Sequence, residues 1–258
     1  MKKKIHIYYH CFLTEDATWV FIILDQLKLM EDTGLLDAAD KITVLSIGNK
    51  KQLSLYRQIL NNYPKINVIE IVNGTTNDDI ARMSHNSNSG TTITESETIQ
   101  RIWRDSHTDD FYAFYLHNKG STSFNRCLLT DNDADKFRNY YYWRKFLEWG
   151  TIEKWRECVS ALEENDIAGC NFNGHPFFHF SGNIWWANSS YIRTLDDIKD
   201  CPWWNSVKQS YHPDRMIDEF WIGHKAKRIF NLNSPPDRLC SPNPGLYAES
   251  YLRKNYEG

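Results

Sequence analysis

Three short segments of this chain carry side chains suited to chemistry. The first, H-F-S-G-N-I-W-W-A, runs from His179 to Ala187 and sets a glycine and an amide beside two adjacent tryptophans. A sugar ring offers C–H faces to aromatics and hydroxyls to amides, and aromatic side chains combine large apolar area with a polar handle. His179, Ser181, Asn183, Trp185 and Trp186 are therefore the candidate sugar contacts. The second segment, D-R-M-I-D-E-F-W-I-G, spans Asp214 to Gly223 and offers Asp218 and Glu219 as a base for a hydroxyl. The third is H-N-K-G, His117 to Gly120. Glycine permits close backbone approach, and an ammonium neutralises phosphate as a point charge. Lys119 beside Gly120 could thus hold a diphosphate.

Each segment has a plainer reading. Neighbouring residues on a strand face opposite sides, so Trp185 and Trp186 cannot both face one core unless the strand breaks there. One is expected near ligand and the other in the core. Asp218 and Glu219 point about 100° apart on a helix, so only one faces a pocket squarely. Acids there also suit a helix N-terminal dipole, and Arg215 and Glu219 stand at the spacing of a surface ion pair. H-N-K-G can be a tight turn with a solvated lysine. Asp131-Asn132-Asp133 has the D-x-D form whose hard oxygens suit Mg or Mn; N-capping of a helix explains it equally well. Asp196-Asp197 reads as a solvated turn or cap. No G-x-x-x-x-G-K-[ST] and no G-x-G-x-x-G occurs, which argues against the P-loop and the dinucleotide fingerprint.

The elements that must position these residues alternate. Lys4 to Phe12, Lys41 to Ile47, Ile66 to Val72 and Phe111 to Leu116 read as strands. Helices are expected over Asp16 to Leu29, Gln52 to Asn61 and Thr94 to Trp103, the last with Glu97 completing a capping box. Thr75 to Thr92 is rich in Asn, Ser, Thr and Gly and reads as a loop. Further on, Asp133 to Trp149, Ile152 to Glu163, Ser189 to Leu195 and Pro213 to Ala226 read as helices, and Ile167 to Phe172 as a strand. The tail from Asn231, with Pro235-Pro236 and Pro242-Asn-Pro244-Gly245, reads as irregular. Repeated strand–helix–strand units predict an α/β fold with a mostly parallel, Rossmann-like central sheet flanked by helices. Ligands of such sheets sit beyond the carboxyl ends of the strands. That rule selects His10, ending the first strand, and His117-Asn118-Lys119-Gly120, ending the fourth.

Composition narrows the setting. The 258 residues fit one globular domain, with 41% hydrophobic and 24% charged residues. A net charge of -3 gives no general pull toward nucleic acid or anionic membranes. Ten tryptophans are more than a core of this size needs, which points to stacking surfaces. Six scattered cysteines without a C-x-x-C argue against zinc. The N-terminus lacks the apolar stretch of a secretory signal, so the thiols are expected to be reduced. No membrane span is expected, for want of a long apolar run.

Together, Y-L-H-N-K-G (Tyr115 to Gly120), Y-W-R-K-F-L (Tyr142 to Leu147), H-F-S-G-N-I-W-W-A-N-S-S-Y-I-R-T-L (His179 to Leu195) and D-R-M-I-D-E-F-W-I-G resemble a known family. It is a family of GT-A-fold glycosyltransferases of bacterial polysaccharide loci and large DNA viruses, including chloroviruses. The resemblance spans roughly Ile5 to Ala226. It implies a single GT-A-like domain over 1–258, with a nucleotide-sugar-binding half to about residue 120 and an acceptor-binding, catalytic half after it. It implies inverting transfer of a sugar from a UDP-sugar donor to a hydroxyl of an acceptor glycan. By the same resemblance His10, His117, Asn118, Lys119 and Gly120 hold the donor, and Asp218 or Glu219 is the base, the shorter and stiffer side chain favouring Asp218. Where the GT-A plan keeps its metal-binding D-x-D, this chain has His117-Asn118-Lys119. No cofactor beyond the donor is therefore expected, with Asp131 and Asp133 as the alternative Mn or Mg ligands. The expected location is the cytoplasm, that of the host for a virus. A non-catalytic carbohydrate-binding module would use the same tryptophans, and a glycoside hydrolase would need two carboxylates flanking the bond.

Overall fold

A computed structural model gives the architecture. It describes residues 3–15, 18–72, 95–121, 131–207, 216–234 and 253–256, without the side chains of 131–139 and 255. The expected loop at 75–92, the capping residue Thr94, Asp214, Arg215 and most of the tail lie outside the described residues. Within them, no helix is long and apolar enough to cross a membrane.

The first half follows its hydrophobic pattern closely. Strands β1 (Lys4–Phe12), β2 (Lys41–Gly48), β3 (Ile66–Val72) and β4 (Phe111–His117) are joined through helices α1 (Thr18–Asp32), α2 (Leu35–Ala38), α3 (Lys50–Leu60) and α4 (Ser96–Ser106). Asn49 starts α3 with a capping box, its side chain accepting from the Gln52 N–H while Gln52 bonds back to the Asn49 N–H. The second half contains α5 (Asp131–Glu148), a π-helical turn (Trp149–Glu153), α6 (Trp155–Ala161), α7 (Ser189–Ile192), α8 (Pro202–Val207) and α9 (Met216–Phe220). Its strands are short: β5 (Ile167–Gly169), β6 (Phe172–Asn173), β7 (His179–Phe180), β8 (Trp185–Asn188) and β9 (Ile229–Asn231).

Seven strands form one sheet in the order β3-β2-β1-β4-β8-β5-β9. β1 to β4 pair in parallel, as the strand–helix alternation predicts. β8 runs antiparallel between β4 and β5, which the sequence reading missed. The expected strand 167–172 is split, because Asn171 adopts φ 62° and turns the chain out of the sheet. β6 and β7 then make a separate hairpin. Of the expected helix 213–226, residues 213–215 lie outside the described set; Met216–Phe220 is helical, and turns follow through Gly223 and Ala226. Gly223 packs on the backbone of Phe178, where a Cβ would lie 1.8 Å from the carbonyl oxygen.

The sheet is buried on both faces by two cores. Ile5, Ile7, Tyr9, Phe114, Leu116 and Trp186 belong to the one beneath α1, α3 and α5. Tyr8, Phe111, Ala113, Tyr115 and Trp185 belong to the one beneath α4, α7 and α9. Such two-sided cover explains why the strands read as apolar runs. Four described cysteines, Cys11, Cys158, Cys170 and Cys201, are buried free thiols. Burial pushes the Cys158 thiol up to about 12, away from the reactive thiolate.

Candidate functional site at the carboxyl edge of the sheet

The chain winds outward through β1, β2 and β3, then returns to place β4 on the other side of β1. Strand order reverses there, and the crevice between the carboxyl ends of β1 and β4 is the expected ligand position. The last pair of that ladder is His10 with His117. By strand parity both imidazoles share the face covered by α4.

Beyond the ladder the two strands diverge, and Asn118 fills the gap. Its Oδ1 accepts from the Phe12 N–H at 2.9 Å and its Nδ2 donates to the Phe12 carbonyl at 2.7 Å. These bonds satisfy a buried stretch of backbone that would otherwise lose its partners. The Asn118 amide thus serves the fold at the position expected to contact the donor. Lys119 follows, half-buried, with its ammonium 4.0 Å from the centre of the Trp143 ring. Gly120 closes the turn at φ 94°, a conformation that favours glycine.

His10 lies beneath the site rather than in it. It is buried, with Nδ1 2.9 Å from the Thr98 hydroxyl. Burial lowers its pKa to about 4 against the pull of Glu95, so the ring is neutral near pH 7. The ring of this expected donor contact is thus covered by Thr98 of α4.

Glu95, just before α4, was not foreseen. One of its oxygens accepts from the Tyr115 hydroxyl at 2.7 Å and from Asn183 Nδ2 at 2.6 Å. The other lies 3.4 Å from His117 Nδ1. Desolvation is the strongest influence on this carboxyl and acts upward. His117, His10, the Tyr115 hydroxyl and Lys119 outweigh it and hold the pKa down at about 2. His117 Nε2 lies 2.9 Å from the Gly182 carbonyl oxygen, to which only an N–H can donate.

The turn that follows β7 forms the roof. Gly182 at φ 102° and Asn183 at φ 52° are both left-handed. A Cβ on Gly182 would lie 2.5 Å from Leu147 Cδ1 and 3.4 Å from Lys119 Cε. The Gly182 N–H donates to Glu219 Oε1 at 2.7 Å. Asp218, beside it, is buried and accepts from the Ser96 hydroxyl. The two carboxylates thus reach different elements, as their angular separation on a helix requires.

The expected sugar-contact residues are brought together but face inward. Trp185 and Trp186 are fully buried on opposite faces of the sheet. Trp185 packs against Tyr115, with ring centres 5.0 Å apart, and donates to Asn183 Oδ1 at 2.9 Å. Trp186 stacks on Phe114 at 4.6 Å and donates to the Thr151 carbonyl at 2.8 Å. Strand parity divides them as expected, but neither ring is left for a ligand, because α5 and α9 cover both faces. His179 is also buried, with Nδ1 2.7 Å from the Phe177 carbonyl oxygen and Nε2 3.1 Å from the Ser181 hydroxyl. Asn183 has its amide divided between Glu95 and Trp185. These residues build the roof instead of presenting a sugar surface. Asp131 and Asp133 lie in α5, with side chains outside the described set. Among the described residues no group of three or more His, Cys, Asp and Glu could hold a metal ion.

Residues 8–220 match a family described as a domain of unknown function, DUF8361. The chain belongs to that family. No curated protein matches the DUF8361 chain significantly. One solved structure similar to it is the 4-diphosphocytidyl-2C-methyl-D-erythritol synthase of Anaerococcus prevotii, at 10% identity and a TM-score of 0.41, with 96% of each chain covered.

Proposed function

We propose that this chain is an inverting glycosyltransferase that moves a sugar from a nucleotide-sugar, a UDP-sugar by resemblance, to a hydroxyl of an acceptor glycan. The observation that carries this reading is the pairing of charges around Gly182. Lys119 and His117 lie on one side of that residue, and Glu219 is hydrogen-bonded to its N–H on the other. A cationic side and a carboxylate side, one residue apart at a strand-order reversal, are what displacement of a diphosphate by a hydroxyl requires.

In this mechanism the carboxylate takes the proton from the acceptor hydroxyl. The hydroxyl oxygen forms its bond to the anomeric carbon while the bond to the diphosphate oxygen breaks on the opposite face. The freed diphosphate keeps the bonding electrons, and Lys119 offsets the charge it develops. Holding both sugars in line supplies a large share of the rate. Glu219 suits the base better than Asp218. It is only partly buried, and the Gly182 N–H orients one carboxylate oxygen while the other can meet a hydroxyl. Asp218 is buried and receives the Ser96 hydroxyl. The burial of Trp185 and Trp186 counts against a non-catalytic sugar-binding module resting on that pair.

Release of UDP from a UDP-sugar, measured with and without acceptor glycan, tests the reading. Glu219→Gln should reduce acceptor-dependent release by at least about a hundredfold while UDP binding persists. Full activity in that variant, with loss in Asp218→Asn, would move the base to Asp218. If both amide variants remain active, neither is the base. Lys119→Ala should weaken UDP binding by calorimetry; unchanged affinity rules out its diphosphate role. A thermal-shift screen of nucleotide sugars with Mn, Mg or chelator would settle the donor and the metal requirement together.

A further inference from the structure

The turn at Gly182 and Asn183 strings two left-handed residues together. Glycine enters this region freely, and asparagine at a modest cost. Such a turn persists only where its surroundings fix it. Here His117 holds the Gly182 carbonyl, Glu219 holds the Gly182 N–H, and Trp185 and Glu95 hold the two ends of the Asn183 amide. Glu95 touches this set twice: directly through Asn183, and through His117, whose Nδ1 faces its second oxygen at 3.4 Å.

We propose that Glu95 is a positioning residue for the transfer reaction, fixing both the orientation and the proton count of His117 and, through His117 and Asn183, the turn that carries Glu219. This deepens the glycosyltransferase reading and rests on it. His117 must keep a proton on Nε2 to donate to the Gly182 carbonyl. A neutral ring would then turn the lone pair of Nδ1 toward the Glu95 carboxylate, which is repulsive. A second proton on Nδ1 turns that contact into a charge-assisted hydrogen bond. Glu95 thereby favours an imidazolium, and a cation is what a diphosphate arriving beside Lys119 meets. The groups facing His117 divide. Glu95, before α4, and Glu219, from α9, favour its charged form. Burial opposes it most and leaves the His117 pKa below its ordinary value; Lys119, next in the turn, and His10, from β1, when protonated, oppose it too. Tyr115 donates to Glu95, and the charges of Glu95 and Asp218 both act on its hydroxyl.

Glu95→Gln separates geometry from charge. Its amide oxygen can still accept from Asn183 and Tyr115, and its NH2 can donate to Nδ1 of a neutral ring. The fold survives while the second proton has no reason to stay. Two measurements on the full chain test the proposal. The first is nitrogen NMR of His117, assigned with His117→Gln. Wild type should keep the second proton to a higher pH than Glu95→Gln, whose ring should be neutral and protonated on Nε2. The second is UDP affinity across the histidine range, about pH 6 to pH 8. Wild-type affinity should fall as pH rises, whereas Glu95→Gln should bind about tenfold more weakly with a flat profile. A His117 titration unchanged in Glu95→Gln overturns the Glu95 role whatever UDP does. Wild-type affinity and pH profile in Glu95→Gln overturn it while leaving the donor site standing. Absence of UDP binding to wild type overturns the glycosyltransferase reading and the UDP arm with it, while the NMR result still decides the pairing of Glu95 with His117.

Discussion

The two edges of one sheet use the same residue types to opposite ends. At the amino edge Lys4 pairs with Asp109 at 2.9 Å, and Lys41 with Asp105 at 2.6 Å. Asp105 also takes the Tyr8 hydroxyl and Arg101, and Asp40 takes the Ile5 N–H. Lys4, Asp40, Lys41, Asp105 and Asp109, with His6 and Thr108, line a shallow crevice of about 500 Å³. Opposite charges there meet directly, most of them near solvent, where screening leaves little net energy. At the carboxyl edge the Glu95 carboxylate is set among two imidazoles, a phenol and an amide, and Lys119 lies over an indole. The amino edge spends its charge on local pairs. The carboxyl edge holds its charge by neutral or titratable partners, an arrangement that an incoming ligand can still change.

Substitutions can break this contrast in order of effect. Gly223→Ala should do most damage, since its Cβ would meet Phe178 backbone that has no flexible end to move. A loss of about 3 kcal/mol is expected by denaturant titration, together with loss of whatever activity the α9 carboxylates support. Stability near wild type would mean that α9 does not seat against β7 as described.

Acidification comes next. His10 has its pKa lowered to about 4 in the fold, against an ordinary 6.5. The unfolded chain therefore takes a proton that the folded chain refuses. Stability from this group is complete above about pH 6.5 and is lost as pH falls through 4, on the order of 3 kcal/mol in all. Glu95, held down at about 2, adds a loss of the same sign below about pH 4.5. Urea midpoints across this range should show the decline, and His10→Gln should flatten its upper part. An unchanged slope in that variant would remove His10 as the cause.

Lys4→Ala is the smallest expected effect. It deletes an exposed ion pair at the amino edge, and neither the denaturation midpoint nor UDP affinity should move measurably. A clear shift in UDP affinity would link the two edges and dissolve the contrast between them.

Much of the first half was legible because its strands are buried on both faces and its helices are short and well punctuated. Lys4–Phe12 and Ile66–Val72 are strands to the residue, and the strand-end rule led from the fourth strand to H-N-K-G. The second half was harder to read. β8 has four residues, too few for its period to separate a strand from a turn. The antiparallel insertion of β8 depends on contacts with Phe114 and Tyr115, far away in sequence. Glu95 was invisible for a related reason. It follows a polar stretch and carries no local pattern, and only the fold brings it to His117. The burial of the tryptophans was not legible because composition counts rings without saying how many layers of helix will cover them. The bonds of Asn118 to Phe12 were not legible because an amide at a strand end can serve the backbone as readily as a ligand.

Gly182 has one more consequence. Only the α-carbon of Gly182, with its two backbone torsions, separates its amide nitrogen, which holds Glu219, from the carbon of the carbonyl held by His117. The width between base and cation is then set like the jaws of a caliper, by one joint that the neighbouring contacts clamp. On the glycosyltransferase reading, an acceptor that does not fit that opening is turned away by backbone geometry, and trimming side chains around it would not widen the gap.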